Sequence, residues 1–262
     1  MSDAIPSFSL KGKVIVQCGG SGLLGRGLVT AIAGSGATLV LTSREKARGE
    51  KISAEEKALG RSVFAEETDL DSEPAILALR DKVLKDHGRI DGMVFNAVRR
   101  GMSSWSADLS QWAQSMGTNA TGFFATMRGF GDAMAKQGSG SIVNIASMYG
   151  LVGQNPYLYE GTPMGTAPDY FFHKAGMINV TRFAATYYGG KKVRVNVVSP
   201  GGIYNPDKPQ HPVFLEHFSK MTALGRMAEV REICGAVVFL LSDASTYVTG
   251  TNISVDGGYT SR

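Results

Sequence analysis

Residues 14–27 read Val-Ile-Val-Gln-Cys-Gly-Gly-Ser-Gly-Leu-Leu-Gly-Arg-Gly, an apolar β-branched run that leads directly into a glycine-rich turn. Within it, Gly20-x-Gly22-x-x-Gly25 follows a predicted strand and opens a predicted helix, the context that a dinucleotide-binding fingerprint requires. Glycines let the backbone turn tightly and approach a pyrophosphate, while the N-terminus of the helix offers free N–H groups. The stretch predicts a phosphate-binding turn. The alternative is a glycine-rich start of a helix that serves close packing only.

Strand and helix patterns alternate along the rest of the chain. The predicted strands are short, rich in β-branched residues and mostly apolar on both faces, as in a parallel sheet covered by helices on each side. They are Val14–Gln17, Thr38–Thr42, Val63–Glu66, Met93–Asn96, Ser141–Ile145, Val193–Val198 and Ile253–Val255. The predicted helices are Gly25–Ala33, Arg44–Leu59, Pro74–His87, Leu109–Lys136, Phe171–Tyr188 and Arg231–Leu241. This alternation predicts an α/β fold in one domain over residues 1–262, with a doubly wound parallel sheet.

Composition excludes several classes of protein. The hydrophobic content of 43% and a mean hydropathy of −0.04 are typical of a globular chain with an ample core. The net charge of +4 comes from scattered residues, whereas a nucleic-acid binder should show a basic stripe, so we expect no nucleic-acid partner. No apolar run approaches the ~20 residues that span a bilayer. We therefore expect no membrane partner. Met1–Lys11 lacks the basic and apolar regions of a secretory signal, so we do not expect it to act as one.

The two cysteines favour a reducing compartment. Cys18 and Cys234 lie in apolar surroundings and form no metal-type spacing. We therefore predict a cytoplasmic protein without a structural disulfide or a metal site.

The end of the second predicted strand bears on the choice of cofactor. An acidic residue there would bind the ribose hydroxyls of NAD and repel a 2′-phosphate, but this chain has Ser43 and Arg44. A hydroxyl and a guanidinium are the donors that a 2′-phosphate favours. The sequence predicts NADP(H) in preference to NAD(H). The alternative is that Arg44 is a solvated residue at the start of the next helix.

Tyr170 and Lys174 place a phenol and an ammonium four residues apart, one turn apart on one face of a predicted helix. A phenol has a pKa of about 10 and is nearly inert as a base at neutral pH. A fixed cation within one turn favours the phenolate and would lower that pKa. Alone, however, such a pair is more often an exposed lysine beside a core tyrosine.

In combination, these features resemble the short-chain dehydrogenase/reductase family over essentially the full chain. The matching residues stand in family order: the glycine-rich turn, Asp69-Leu70, Asn96-Ala97, Asn119, Ser147, Tyr170-x-x-x-Lys174, Pro200-Gly201 and the tail 250–258. The resemblance implies a Rossmann-type sheet of seven strands, a nicotinamide cofactor and a homodimer or homotetramer.

The resemblance also implies roles for single residues. Tyr170 would be the general acid/base, Lys174 would lower its pKa and hold the nicotinamide ribose, Ser147 would position the substrate oxygen, and Asn119 would hold a water for proton relay. The implied cofactor contacts are Gly19, Ser21, Gly22, Leu24, Gly25, Ser43, Arg44, Asp69, Leu70, Asn96, Ala97, Tyr170, Lys174, Pro200, Gly201 and Ile203. These roles are chemically coherent, because hydride transfer to a carbonyl leaves an alkoxide that needs O–H donors.

The chain departs from the family pattern most between Ser147 and Tyr170, which are 23 residues apart, further than in most relatives. We expect the segment 151–169 to bulge at the mouth of the active site. Its polar side chains suit a polyhydroxylated ligand better than a steroid or a fatty chain. The segment contains Gln154, Asn155, Tyr157, Tyr159, Glu160, Thr162 and Met164, and its hydroxyls, amides and carboxylate are the groups on which this expectation depends. Residues 159–162 and 199–203 resemble a subgroup from sugar and nonulosonic-acid pathways; the alternative is a solvated loop or an oligomer contact.

Two further features concern the substrate. The segment 203–221 is predicted to form a mobile lid. Arg99 and Arg100 follow the fourth strand and are candidates for contact with a substrate carboxylate or phosphate; the alternative is that both project into water.

Taken together, the sequence predicts an NADP(H)-dependent oxidoreductase that interconverts a secondary alcohol and a ketone on a sugar, polyol or sugar acid. One alternative is a 3-oxoacyl-type ketone reductase with an apolar pocket lined by Leu151, Val152, Leu158 and Met164. A second, from a different class, is an interaction protein that senses NADP(H) without turning it over.

Overall fold

The computed structural model describes residues 7–261, and these residues contain one parallel sheet of seven strands in the order β3-β2-β1-β4-β5-β6-β7. The strands are β1 Val14–Cys18, β2 Thr38–Ser43, β3 Val63–Glu67, β4 Gly92–Phe95, β5 Gly140–Ile145, β6 Val193–Pro200 and β7 Asn252–Val255. The predicted doubly wound α/β fold of Rossmann type is confirmed. Residues 1–6 and 262, which belong to the predicted domain and in part to the signal-sequence prediction, lie outside the described residues.

Eight α-helices of residues 7–261 connect the strands and cover both faces of the sheet. They are α1 Leu23–Gly34, α2 Lys46–Ala58, α3 Glu73–His87, α4 Leu109–Met116, α5 Phe123–Gln137, α6 Pro168–Gly189, α7 Pro212–Met221 and α8 Val230–Leu241. Within this described part of the chain, none of the helices has the length and apolar character needed to cross a bilayer.

The core consists of two layers, one on each side of the sheet. In β1, Val14 and Val16 pack into the layer under α3, α5 and α6, whereas Ile15 packs into the layer under α1 and α8. This alternation arises because successive side chains of a strand point to opposite faces. It explains why the strands are apolar at nearly every position.

The predicted helix Leu109–Lys136 is wrong in one respect. The chain forms α4 and α5 with a π-helical turn between them at Gly117–Gly122. A Cβ atom at Gly122 would collide with the carbonyl oxygen of Leu70, so the helix approaches the chain after β3 at this point. Residues 117–122 read Gly-Thr-Asn-Ala-Thr-Gly, so the apolar periodicity of the predicted helix is interrupted where the turn lies. The contact with Leu70 explains why glycine occupies position 122.

The sheet brings the predicted site residues to one edge. The carboxyl ends of β1, β2, β4, β5 and β6 meet there, and the strand order reverses between β1 and β4. Ligands of open α/β sheets bind at such a reversal.

Candidate active site

A cleft of about 640 Å³ follows the carboxyl edge of the sheet. All of the predicted cofactor contacts line it: Gly19, Ser21, Gly22, Leu24, Gly25, Ser43, Arg44, Asp69, Leu70, Asn96, Ala97, Tyr170, Lys174, Pro200, Gly201 and Ile203. Ser147 lines it as well, whereas Asn119 does not.

The glycine-rich turn forms a cradle of backbone atoms. Gly19 has φ +86°, and a Cβ atom there would lie 2.6 Å from the backbone nitrogen of Ala97. A Cβ atom at Gly25 would collide with the carbonyl oxygen of Gly19. Asn96 Nδ2 donates to that same oxygen at 2.8 Å and holds the turn against the end of β4.

The first turn of α1 is open toward the cleft. Gly22 precedes the helix and supplies no side-chain cap, so the first N–H groups of α1 have no side-chain acceptor from that position. Free N–H groups and the positive end of the helix dipole favour a bound anion. The residues present therefore fit a dinucleotide pyrophosphate, with Gly19, Ser21, Gly22 and Leu24 around it.

The end of the cleft beyond β2 carries two arginines. Arg44 is exposed, and no carboxylate of residues 7–261 lies within 4.0 Å of its guanidinium. Ser43 Oγ, the other predicted donor, donates to the carbonyl oxygen of Glu45 at 2.9 Å. Arg48 also lines the cleft and donates to the carbonyl oxygen of Ser21 at 3.0 Å.

Arg48 was not among the predicted cofactor contacts. Its position four residues after Arg44 is a signal that could have identified it, because a second guanidinium so close in the chain, in the first turn of α2, stays at the same end of the cleft.

Ser147, Tyr170 and Lys174 come together in the cleft from two elements. Ser147 follows β5, while Tyr170 and Lys174 lie on successive turns of α6. Lys174 is buried, and its Nζ donates to the carbonyl oxygen of Ile145 at 2.6 Å and lies 5.7 Å from the centroid of the Tyr170 ring. Ser147 Oγ accepts from the backbone N–H of Tyr149 at 3.1 Å, which leaves its own O–H to donate.

Lys174 titrates far from the ordinary range of a lysine. Burial of the ammonium lowers its pKa to about 7, and the positive charge of Arg100 contributes in the same direction. A proton can therefore leave or return to this nitrogen near neutral pH, which suits a group placed behind a general acid/base.

Asn119 lies in the π-helical turn, behind the wall of the cleft rather than in it. Its side chain is buried, accepts from the N–H of Arg99 at 2.9 Å and donates to the carbonyl oxygen of Arg99 at 2.6 Å. It also donates to Ser115 Oγ at 3.0 Å. Ser115 in turn donates to Asp169 Oδ2 at 2.5 Å, next to Tyr170 in the chain. The amide thus fixes the loop after β4; the relay of a proton through water at Asn119 stays a prediction.

The predicted polar wall from 151–169 is largely wrong. Among the residues named for it, Tyr159 and Met164 line the cleft, whereas Gln154, Asn155, Tyr157 and Glu160 are exposed. Thr162 donates to the carbonyl oxygen of Tyr159.

Packing of this segment on α7 explains the difference. Leu158 is fully buried in a cluster with Phe214 and Phe218, and the Tyr157 ring stacks on His217 with the centroids 4.1 Å apart. The buried leucine anchors the segment and turns most of its polar side chains away from the cleft.

The segment 203–221 covers the substrate end of the cleft. It contains the helix α7, which was not among the predicted helices; Pro212 occupies its first turn, and His211 Nδ1 accepts from the N–H of Val213. Its cleft-lining residues are Ile203, Asn205, Lys208, Gln210, Phe214 and Phe218. Its movement as a lid stays a prediction.

The two arginines after β4 differ in their partners and in their positions. Arg99 forms an ion pair with Asp71 at 2.8 Å. Arg100 is exposed at the cleft, with its guanidinium carbon 5.7 Å from the centroid of the Tyr170 ring.

Comparisons with known proteins agree with this geometry. A family model described as "Enoyl-(Acyl carrier protein) reductase" matches residues 21–260. Galactitol 2-dehydrogenase (L-tagatose-forming) of Cereibacter sphaeroides is 33% identical, over 97% of this chain and 97% of that protein. An NADP-dependent mannitol dehydrogenase of Hypocrea jecorina is 35% identical, over 97% of this chain and 95% of that protein.

A solved structure extends the likeness to the fold. A short-chain type dehydrogenase/reductase from Mycobacterium marinum has a TM-score of 0.86 and 28% identity, and the match covers 97% of this chain and 98% of that one. The chain therefore belongs to the short-chain dehydrogenase/reductase family, whose members are NAD(P)(H)-using oxidoreductases, and it acts on CH–OH groups.

Proposed function

We propose that this protein is an NADP(H)-dependent oxidoreductase that interconverts a secondary alcohol and a ketone on a sugar, polyol or sugar acid. The observation that carries the proposal is the cleft itself. It joins the glycine-rich cradle and two arginines at one end to Ser147, Tyr170 and Lys174 at the other.

The side chains divide the chemistry among them. A bound nicotinamide supplies the hydride for reduction or accepts it in oxidation. Ser147 donates to the substrate oxygen and orients it, and Tyr170 gives that oxygen a proton as negative charge develops on it. Lys174, fixed by its hydrogen bond to the carbonyl oxygen of Ile145, places a positive charge behind the phenol when it is protonated, and in that form it stabilises the phenolate. Oxidation runs through the same groups in reverse.

Arg44 and Arg48 support NADP(H) in preference to NAD(H). Both line the end of the cleft beyond β2, and Arg44 is free of carboxylate partners among the described residues. A guanidinium offers a planar fork of donors that matches a phosphate. One of the curated relatives also carries NADP dependence in its name.

The mixed lining of the substrate end supports a hydroxylated substrate. Tyr159, Asn205 and Gln210 line the cleft together with Phe214 and Phe218, and a mixture of polar and apolar side chains suits a ligand that carries both hydroxyl and C–H groups. The acyl-chain alternative requires Leu151, Val152, Leu158 and Met164 to line a dry pocket. Only Met164 of these lines the cleft, while Leu151 and Val152 are exposed.

The outer face of α6 supports assembly with further copies of the chain. Phe172, Phe183 and Tyr187 are 60%, 69% and 55% exposed and follow one stripe of this helix. Large apolar side chains grouped in this way are typical of a protein interface. We propose a homodimer or homotetramer in the cytoplasm, where the buried free thiols of Cys18 and Cys234 would stay reduced.

Turnover by Tyr170→Phe tests the catalytic proposal. NADPH absorbance is followed with a panel of ketoses, keto acids and 3-oxoacyl thioesters. The variant should lose about 1,000-fold in kcat because it lacks the proton donor, within the range expected for a general acid. NADPH affinity should change by less than about threefold, since a shift below 1 kcal/mol is expected from one peripheral hydroxyl.

Tyr247→Phe is the control, because this tyrosine is fully exposed and lies outside both the cleft and α6. Near-wild-type turnover by Tyr170→Phe would refute the mechanism. Turnover confined to the acyl thioesters would identify the protein as a 3-oxoacyl-type ketone reductase. NADPH binding without turnover of any substrate would favour an interaction protein that senses NADP(H).

A further inference from the structure

We propose that Arg100 binds an anionic group of the substrate, so that the preferred substrates are hydroxy acids rather than neutral polyols. This inference rests on the proposed function and narrows its substrate class. Sequence alone left Arg99 and Arg100 as equivalent candidates, and the structure separates them.

Arg100 stands beside the reacting groups. Its guanidinium carbon lies 5.7 Å from the centroid of the Tyr170 ring. It lines both the main cleft and a smaller adjoining cavity, which it shares with Met164, Thr166 and Tyr170. A cation at this distance can reach an anionic group only a few bonds away from the carbon whose oxygen meets Tyr170.

Arg100 also keeps its charge available. Arg99 is paired with Asp71, whereas within residues 7–261 no carboxylate lies within 4.0 Å of the Arg100 guanidinium. A guanidinium pairs most strongly with a carboxylate or phosphate, often through two parallel hydrogen bonds. The neighbouring arginine thus has a structural partner, and Arg100 has its donors free for a ligand.

The charges around the substrate end favour an anion. Lys208 lines the same end of the cleft and is exposed. The carboxylates of the described residues that line the main cleft are Asp69 and Asp71, and Asp71 is engaged by Arg99 and Thr118. Asp169 borders the smaller cavity but is buried, and its Oδ2 accepts from Ser115 and from the N–H of Met102. This positive charge would attract an anionic substrate, whereas a neutral polyol would gain nothing from it.

The field of Arg100 extends to the catalytic groups. Its charge adds to the effect of burial in lowering the pKa of Lys174, and it opposes the increase that burial causes in the pKa of Tyr159. An anion bound to Arg100 would offset its charge and favour the protonated form of Lys174. Binding of an anionic substrate would in this way favour the positive charge on Lys174 that stabilises the phenolate of Tyr170.

Matched substrate pairs test the proposal. An alditol and its aldonate differ only at the terminal carbon: threitol and threonate, xylitol and xylonate, galactitol and galactonate. With NADP⁺ and the intact enzyme, we expect a kcat/KM at least about tenfold higher for the aldonate of the best pair, as expected for a charge-assisted hydrogen bond. Phosphate esters of the same polyols form a second arm, which distinguishes a phosphate from a carboxylate as the bound anion.

Arg100→Gln should reduce the aldonate-to-alditol ratio about 10- to 100-fold, because hydrogen bonds to charged groups contribute this much to affinity. Arg100→Lys should give a ratio between those of the wild type and Arg100→Gln, since lysine keeps the charge but lacks the planar set of donors of a guanidinium. Lys85→Gln removes the same charge from an exposed position on α3 and should leave the ratio unchanged. Thermal unfolding of the NADPH-loaded protein supplies a readout without turnover: tartrate should stabilise the wild type more than threitol does, and Arg100→Gln should abolish the difference.

The outcomes separate the two proposals. Equal turnover of aldonates, phosphate esters and alditols, with a ratio unaffected by Arg100→Gln, would overturn the anion site and leave the proposed function intact. Arg100-dependent stabilisation by tartrate without turnover of any pair would support the anion site while the proposed redox function fails. A dependence on Arg100 confined to phosphate esters would support the site and identify a phosphate as its anion.

Discussion

The cofactor end of the cleft is built largely from backbone, whereas the substrate end is built from side chains on two long connections. At the cofactor end, Gly19 and Gly25 pack so closely against neighbouring backbone that no side chain fits. At the substrate end, Tyr159 and Met164 come from one connection, and Asn205 and Gln210 come from another. Backbone cradles restrict the residue types that can occupy them, while a wall of side chains admits many.

This difference determines which substitutions should affect each end. One added methyl group should damage the cofactor end. At the substrate end, an exchange of side chains should change the choice of ligand and leave the fold alone. Three predictions test or sharpen this contrast.

Gly25→Ala should have the largest effect. Its Cβ atom would collide with the carbonyl oxygen of Gly19 and displace the cradle. We expect NADPH affinity to fall by at least about 100-fold, the order of loss that follows a misplacement of ~1 Å in a preorganised site. Overpacking should also cost about 1–3 kcal/mol of unfolding free energy. Calorimetric titration with NADPH and denaturant unfolding measure the two effects.

Gly235→Ala is the control, because this helical glycine of α8 is exposed and an added Cβ meets open space. It should raise stability by about 0.5–1 kcal/mol, the usual preference for alanine in a helix. Wild-type affinity for NADPH in Gly25→Ala would show that the turn is merely a tight connection.

Arg44→Ala should weaken NADPH binding by about 10- to 100-fold and leave NADH binding nearly unchanged, because only the 2′-phosphate forms charge-assisted hydrogen bonds with it. Arg48→Ala should weaken both cofactors, since Arg48 also holds the carbonyl oxygen of Ser21 in the phosphate turn. Dissociation constants for both nucleotides provide the comparison, with exposed Lys46→Ala as the control. An equal loss for both nucleotides in Arg44→Ala would contradict the preference for NADP(H).

The third prediction concerns Lys174, which lines the cleft. Its protonation should make the unfolding free energy depend on pH. The pKa of Lys174 falls from 10.5 to about 7 on folding. Between these values the unfolded chain binds more protons, so the unfolding free energy of the cofactor-free protein should rise with pH, and this contribution is lost as pH falls to about 7.

The slope from this one group should approach about 1.4 kcal/mol per pH unit. Lys174→Met should lack it, and Lys85→Met, at an exposed position, should retain it. Denaturant unfolding at several pH values across the window measures the slopes. Equal slopes in the wild type and Lys174→Met would show that the lysine titrates normally in the folded protein.

The strands and the cofactor end could be predicted because local rules decide them. Residues such as Val14, Ile15 and Val16 are apolar on both faces of a covered sheet, and the cradle needs glycine for steric reasons. The roles of Ser147, Tyr170 and Lys174 were predicted from the resemblance to the family, in which such residues stand in this order, and the structure places the three in one cleft.

Long-range packing decided what the sequence analysis missed. Gly122 marks the break between α4 and α5 because Leu70 approaches it. Most polar side chains of 151–169 lie outside the cleft because Leu158 is buried against α7 and anchors the segment. The distinction between Arg99 and Arg100 depends on Asp71, far away in sequence. The contacts of Leu158 and Asp71 leave no local pattern in the sequence, whereas the polar stretch from Gly117 to Gly122 is a weak local signal of the break.

One turn of α6 carries side chains on two opposite sides of the helix. Tyr170 and Lys174 face the cleft, while Phe172 between them is 60% exposed on the opposite side. A neighbouring subunit that restrains Phe172 would restrain the same turn that presents the phenol and the ammonium. Occupancy of the cleft and association of subunits would then be thermodynamically coupled, each raising the equilibrium constant of the other by the same factor.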